Sequence, residues 1–336
     1  MWPRILAVSL IAVATIAGGH ARAQALNPET INSADLKETA KSGKKASKTK
    51  LDPVMVKAQV LLDRARFSPG VIDGHNGDNL KKAIAAFQRA KGLNESGSLD
   101  RETWSKLTDG VSEPIVKEYA ITDADLKGPF VAKVPAKMED QAKLDHLAYT
   151  SPRQELAERF HMDEGLLKTL NPGKAFDKAG ETITVANVAD ARPKESKGDV
   201  TRIEVDKKAR ALRAYGKDGQ LLAVYPASIG SEEKPAPSGE LEVRAVAQNP
   251  TYTYDPKYKF KGVKADKPFT IKPGPNNPVG AVWIALSDKG YGIHGTPHPA
   301  QVGKTYSHGC VRLTNWDAKD LAGMVEKGTK VAFLDQ

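Results

Sequence analysis

The chain has 336 residues and a formal net charge of +9, with 40% hydrophobic and 27% charged residues. Its pI near 9.3 calls for an acidic neighbour or surface, and its single cysteine, Cys310, excludes an internal disulfide.

Met1 to Ala23 shows a short n-region with Arg4, an apolar run from Ile5 to Ala17, then Gly18, Gly19 and a small-residue exit at Ala21-Arg22-Ala23. This pattern predicts an export signal cleaved before Gln24. The run of about thirteen residues is shorter than the roughly twenty that span a bilayer; left uncleaved, it would remain a membrane anchor. Cleavage removes Arg4 and Arg22 and no acid, so the formal charge falls from +9 to +7. Export, with the periplasm as the expected location, argues against nucleic acid as the acidic partner. In such an oxidising compartment a lone thiol is left for chemistry or for an intermolecular bond. Residues 24–52 read as a basic disordered linker, with Lys37, Lys41, Lys44, Lys45, Lys48 and Lys50 in a Ser, Thr and Ala background. The same lysines would draw it to anionic cell-wall or lipid surfaces.

From Pro53 to Leu107, Val54, Val60, Leu61, Leu62, Ile84, Phe87 and Leu107 fall at helical spacing around a turn-rich middle, predicting a small helical module over residues 53–109. Gln59, Leu62, Phe67 to Gly70, Ile72 to Gly74, Gly77, Ala83, Phe87, Gln88, Gly92, Leu93, Gly97, Leu99, Asp100, Thr103 and Trp104 resemble the peptidoglycan-binding domain of cell-wall hydrolases. That resemblance implies a three-helix fold docking the chain onto glycan or stem peptide. The run from Asp73 to Asp78 is not a calcium loop, because the twelfth position from Asp73 is Ile84 rather than Glu.

Residues 119–190 form a connecting region. Tyr119 to Lys143 is charged and Pro-bearing and reads as a long connection. Ser151 or Pro152 with Glu155 opens a helix through Leu156, Ala157 and Phe160; Leu166, Leu167 and Leu170 predict a second, closed by Asn171-Pro172-Gly173, and Glu181 to Val188 reads as a strand. This order resembles a degenerate LysM module, a family that binds N-acetylglucosamine polymers; a purely structural subdomain is the other reading.

Residues 198–335 read as mostly strand: Arg202–Val205, Ala211–Tyr215, Leu221–Tyr225, Leu241–Val246, Val282–Leu286, Gly290–Ile293 and a last one near Lys330–Phe333, with a capped helix from about Asn315 to Lys327. Gln248 to Pro278 carries tyrosines, lysines and prolines without periodicity, and a loop of that length in a compact domain is usually functional. It is expected to be a lid over the cysteine, with Tyr252, Tyr254 and Tyr258 available to stack on sugar or stem peptide; a solvated surface loop is the alternative.

The chemistry concentrates in Ile293 to Leu313. A free thiol with a pKa near 8.5 is only a few per cent thiolate at neutral pH unless a positive group or a base assists it. His294 lies sixteen residues before Cys310 and reaches it only if the chain folds back. His308 and Arg312 flank the cysteine at two residues on either side, so an extended segment would put all three side chains on one face and cluster positive charge around sulfur. Gly309, without a Cβ, lets a carbonyl approach the amides of Gly309 and Cys310 as an oxyanion hole. His294, His298, His308 and Cys310 are of zinc-ligating type, but their spacing fits no common ligand pattern; no metal and no cofactor is expected. His298, between Pro297 and Pro299, reads as a loop residue. Arg312 either pairs with a nearby carboxylate or receives a substrate carboxylate in its fork.

An IHGT segment followed at this spacing by SHGCVRL, with PNNPVG at Pro275 to Gly280, resembles the L,D-transpeptidase (YkuD) family. The resemblance implies Cys310 as nucleophile, His294 as general base, the Gly295 carbonyl as partner of that base, and Ser307, His308 and Gly309 as further motif residues. Arg312 stands where many members have Asn. The implied reaction is attack of Cys310 on the carbonyl between an L-configured centre and a D-residue of a peptidoglycan stem tetrapeptide, expelling D-alanine to leave a thioester. The acceptor is then a diaminopimelate amine, an amine of an outer-membrane protein, or water, and carbapenems are expected to acylate Cys310. A zinc amidase and a non-catalytic wall-binding protein are the readings of other classes. The expected fold is α+β and multidomain: a small three-helix peptidoglycan-binding domain, a degenerate LysM-like middle region, and a mainly-β catalytic domain with a capping helix.

Overall fold

A computed structural model describes residues 26–36, 51–188, 196–258, 260 and 262–334. The expected export signal and the six-lysine run lie outside the described residues.

Helix α1 (Pro28–Asn32) occupies part of the segment expected to be a disordered linker. Ile31 at its centre is fully buried, and the Asn32 side chain accepts from the amides of Ile115 and Val116, so burial and two bonds order these residues despite their polar surroundings. The helical module consists of α2 (Pro53–Arg64), α3 (Asp78–Ala90) and α4 (Arg101–Thr108). Asp52 and Asp100 cap α2 and α4 by accepting from Val54 and Thr103 amides. The Gln88 amide staples the α3–α4 turn, donating to Ser98 O and Thr103 Oγ1 and accepting from the Gly97 amide.

In the middle region β1 (Val116–Ala120) is followed by α5 (Asp123–Lys127), α6 (Met138–Gln141), α7 (Pro152–Arg159), α8 (Glu164–Leu170) and β2 (Thr182–Ala186). Strands β1 and β2 pair antiparallel from Val116 against Ala186 to Ala120 against Thr182. The long connection expected over Tyr119 to Lys143 therefore contains the end of a strand and two short helices. Asn171 ties α8 to β2, donating to Thr184 O and accepting from the Thr184 amide. One apolar core runs through both regions, from Val56, Leu62 and Phe87 to Leu156, Leu167 and Val185.

The last region contains β3 (Arg202–Asp206), β4 (Ala211–Tyr215), β5 (Leu221–Pro226), β6 (Ser228–Ile229), β7 (Gly239–Gln248), β8 (Tyr252–Tyr254), β9 (Phe269–Ile271), β10 (Val282–Leu286), β11 (Gly292–His294), β12 (Val311–Arg312), α9 (Asn315–Met324) and β13 (Lys330–Leu334). Nine of these strands form one sheet in the order β5-β4-β3-β13-β7-β10-β11-β12-β6. Its outermost strands, β5 and β6, are separated in the chain by Ala227 alone, so the sheet has to curl until its two edges meet. Val205, Leu212, Val243, Ile284, Ile293, Val311 and Leu321 fill the resulting core. Helix α9, capped by Thr314 on the Asp317 amide, packs across β10 and β11.

The Gln248–Pro278 segment, expected to lack regular structure, contains the β8–β9 hairpin, paired from Tyr252 against Ile271 to Tyr254 against Phe269. Three residues per strand are too few to display an alternation in sequence.

The three regions dock tightly. The Ser68 amide donates to Val224 O and the Val224 amide to Arg66 O, joining the helical module to β5. Buried Arg66 pairs with Asp320 of α9 at 3.1 Å, and Tyr225 Oη donates to the same carboxylate at 2.6 Å. His161 stands against Asp63 at 3.0 Å and stacks on Trp316 at 5.1 Å between ring centres.

Candidate active site

Strands β11 and β12 run parallel, with Ile293 beside Val311 and His294 beside Arg312. The parallel pairing requires a long crossover, and residues 295–310 supply it. This is how a histidine and a cysteine sixteen residues apart come to line one cavity. The cavity, of about 450 Å³, is bounded by His294, Ser307, His308, Cys310 and Arg312. The segment before β10 forms another wall with Tyr252, Phe260 and Val279.

Each group is held by a specific contact. His294 is buried, its ring stacked on Trp283 of β10 at 5.4 Å, and its Nδ1 lies 2.6 Å from Gly295 O. A carbonyl oxygen only accepts, so Nδ1 carries the proton and Nε2 of the neutral ring keeps its lone pair. Burial first, then the Arg312 charge, push the His294 pKa down to about 3, against smaller opposing effects of the Gly295 and Val279 backbone. Burial likewise raises the Cys310 thiol, opposed by the Gly292 backbone and by Arg312. The thiol donates to Gly290 O at 3.7 Å. Thiol and imidazole thus both rest neutral near pH 7.

The positive charge expected around sulfur from His308 and Arg312 is therefore not carried by both. His308 is also shifted towards neutrality, by burial first and then by Arg312 and Lys234. Besides Lys234, the cation that lines the cavity is Arg312. It has no ion-pair partner among the described residues, and its buried Nε has no hydrogen-bond acceptor. The structural pairing weighed for Arg312 is thus not found there.

The extended segment expected through the cysteine is also shorter than drawn from sequence. Only Val311–Arg312 is strand; Gly309 has φ +107°, and a Cβ there would lie 3.0 Å from the Tyr291 ring and 3.2 Å from Pro235 O. Ser307 Oγ donates to Cys310 O at 2.5 Å and closes the turn. His308, Cys310 and Arg312 still face the same cavity because this turn, not β-alternation, aims them.

Of the tyrosines, Tyr252 lines the cavity, whereas Tyr254 is buried, with its ring 5.0 Å from Phe269 and 5.7 Å from Phe260. Tyr254 serves as the core of the hairpin and cannot stack on a ligand in this conformation; the Tyr258 side chain lies outside the described part. His298 is exposed on the loop after Thr296 and is not among the residues that line the cavity. No group of three or more His, Cys, Asp or Glu that could hold a metal ion occurs among the described residues.

Trp283, Phe260 and Met138 line the cavity without having been singled out in the sequence. Trp283 is marked only by its place in the alternating run Val282–Leu286, where it pairs with His294. Phe260 lies 4.6 Å from His308, ring centre to ring centre. Met138 comes from α6 of the middle region, and nothing local in sequence signals that reach.

Residues 200–332 match the family model for the L,D-transpeptidase catalytic domain, YkuD, and residues 52–107 match that for a putative peptidoglycan binding domain. The chain is 30% identical over 184 residues to the putative L,D-transpeptidase YkuD of Bacillus licheniformis, covering 54% of this chain and 92% of that protein. It is 28% identical over 192 residues to the probable L,D-transpeptidase YbiS of Escherichia coli, covering 56% of this chain and 61% of the other. A solved structure, L,D-transpeptidase 3 from Mycobacterium tuberculosis with a faropenem-derived adduct, aligns at 17% identity and TM-score 0.34, covering 47% of this chain and 75% of that one.

Proposed function

Because the chain belongs to the YkuD family of L,D-transpeptidases, we propose that it cross-links peptidoglycan through a thioester on Cys310. Nε2 of His294 takes the thiol proton as Sγ attacks the carbonyl carbon of a stem tetrapeptide, beside the D-residue. The tetrahedral oxyanion is held by the amides of Gly309 and Cys310; loss of such a donor typically costs about a hundredfold or more in rate. Collapse breaks the C–N bond, the imidazolium returns its proton to the leaving amine, and D-alanine departs. A diaminopimelate amine then attacks the thioester carbonyl, His294 takes the amine's proton, and the thiol is restored.

The observation that carries this reading is the 2.6 Å contact of His294 Nδ1 with Gly295 O. It leaves Nε2 unprotonated, as a base must be, in the cavity that also exposes Cys310. With both groups neutral at rest, proton transfer accompanies attack and no thiolate–imidazolium pair stands beforehand. Arg312, half-buried and without an acid partner among the described residues, fits a substrate carboxylate, with His308, Ser307 and Tyr252 lining the same space. The helical module and the β1–α7–α8–β2 unit would hold the chain on glycan at the cell wall, after export. Among the described residues no helix is long and apolar enough to cross a membrane.

The test is to incubate the protein, and a Cys310→Ala control, with purified disaccharide tetrapeptides and read the products by mass. Cross-linked dimers lacking one D-alanine, absent in the control, are expected. Tripeptides alone would shift the reading to hydrolysis, and attachment of an outer-membrane protein would require that acceptor to be added. Unchanged substrate in both samples, with binding to sacculi retained, would favour a non-catalytic wall-binding protein.

A further inference from the structure

The histidine is held through its neighbours' backbone, and those neighbours are held from outside the catalytic domain. Gly295, whose carbonyl receives His294 Nδ1, and Gly280, next to Val279, both back onto the side-chain amide of Asn315, the first residue of α9. A Cβ at either glycine would come within 2.1 Å of Asn315 Oδ1. That oxygen accepts from the Ala281 amide at 3.0 Å, and Nδ2 donates to Pro275 O at 3.1 Å. The Asn315 amide therefore clasps the Pro275–Ala281 segment to the turn after His294.

What fixes this amide's orientation comes from another region. Asn315 Nδ2 also donates to both carboxylate oxygens of Glu158, on α7 of the middle region, at 3.1 and 3.0 Å. Burial pushes the Glu158 carboxyl pKa up, against the opposing hydrogen bonds from Tyr149 and Asn315; because both of its oxygens accept from Asn315, the carboxyl group turns Nδ2 towards itself and leaves Oδ1 for Ala281. Glu158 is in turn held by Tyr149, whose hydroxyl donates at 2.7 Å, so the carboxylate is anchored within the middle region before it reaches α9. A second bond joins the same two surfaces: Gln154 Nε2 donates to Asn276 Oδ1 at 3.1 Å, again between α7 and the Pro275–Gly280 segment.

We infer that Glu158 is a positioning residue for the reaction, through which the middle region sets the Asn315 clasp and hence the His294–Gly295 turn. The inference rests on the reading of His294 as the base. Glu158 touches neither substrate nor thiol, and its effect is on how often Nε2 points at the sulfur. Docking of α7 on the catalytic domain is thereby coupled to catalytic competence: a chain whose middle region is displaced, or absent, keeps its cysteine and histidine but holds the base loosely.

Three variants test this on the full chain with disaccharide tetrapeptide as substrate. Glu158→Leu fills the space without an acceptor, Glu158→Gln keeps one acceptor oxygen for Asn315, and His294→Ala tests the underlying reading. Expected are a fall in kcat of about tenfold or more for Glu158→Leu with KM within about twofold, and recovery to within about threefold of the parent in Glu158→Gln. Should Glu158→Leu not fold, Tyr149→Phe removes one anchor of the carboxylate without opening a cavity and is expected to lower kcat alone. A folded Glu158→Leu with unchanged kcat, or with only KM altered, overturns the inference, as does an unchanged kcat in a Tyr149→Phe used in its place. Retention of activity in His294→Ala would instead overturn the base assignment beneath it.

Discussion

A neutral thiol facing a neutral imidazole behaves differently from a thiolate–imidazolium pair. His294 is lowered to about 3 and Cys310 is raised, so no ion pair forms as the pH climbs through the usual imidazole range. The rate of iodoacetamide alkylation at Cys310 should rise steadily with pH, with no plateau between about pH 5 and 8. A plateau beginning near pH 4 would mean that the thiolate is preformed. Stability carries the same signature with the sign fixed by proton uptake. Below the ordinary value of 6.5 the unfolded chain protonates this histidine while the folded chain does not, until about 3. Its contribution is therefore present above 6.5 and is lost as pH falls through that window. Comparing the melting temperature of His294→Gln with the parent from pH 7 to 4 isolates the contribution: the variant should lose less.

The element packed most directly behind the His294–Gly295 turn is the short turn of Pro275 to Gly280. Asn277 Oδ1 accepts from the Val279 amide and its backbone carbonyl from the Gly280 amide, at 2.9 and 2.8 Å. Gly280 has φ +64°, a region unfavourable for other residues, and its α-carbon abuts Gly295 and Asn315. Gly280→Ala meets both costs, backbone strain of roughly 1–3 kcal/mol and a steric contact that cannot be relieved without moving Asn315. It should lower the urea midpoint and kcat together. A variant with the parent's midpoint would show that the turn yields without consequence. The sequence motif around Asn276 and Asn277 was visible as a motif; its role was not, since Asn315 lies 34 residues past Ala281 and Glu158 lies 157 residues before Asn315.

At the scale of the molecule, the helical module is part of the body of the enzyme and not a tethered appendage. Val224 of β5 exchanges backbone hydrogen bonds with Arg66 and Ser68, and Arg66 buries its charge against Asp320. Removing one partner of such a pair leaves a stranded charge, which costs about 3–5 kcal/mol, while replacing both with apolar residues costs far less. Arg66→Met should destabilise the chain strongly in urea unfolding, and Arg66→Met with Asp320→Leu by less than the sum of the two single changes. Additive effects would mean that the pair is not coupled. The helical module, the middle region and the catalytic region accordingly pack against one another, which is the premise for the middle region acting on the candidate active site.

Local pattern in the sequence determined a great deal here. The strand of Val282–Leu286 follows from alternation, the helical module over residues 53–109 from apolar spacing, and the candidate reacting groups from one thiol set near His294, His308 and Arg312. These signals are local because each depends on residues within a turn or a strand of one another. Only the tertiary structure decided that Tyr254 is core while Tyr252 faces the cavity, that β6 and β12, two residues each, complete the sheet, and that both imidazoles are held neutral. It also brought Glu158 to Asn315. Pairing, burial and proton affinity arise from surroundings that distant segments supply, and no window of sequence contains them.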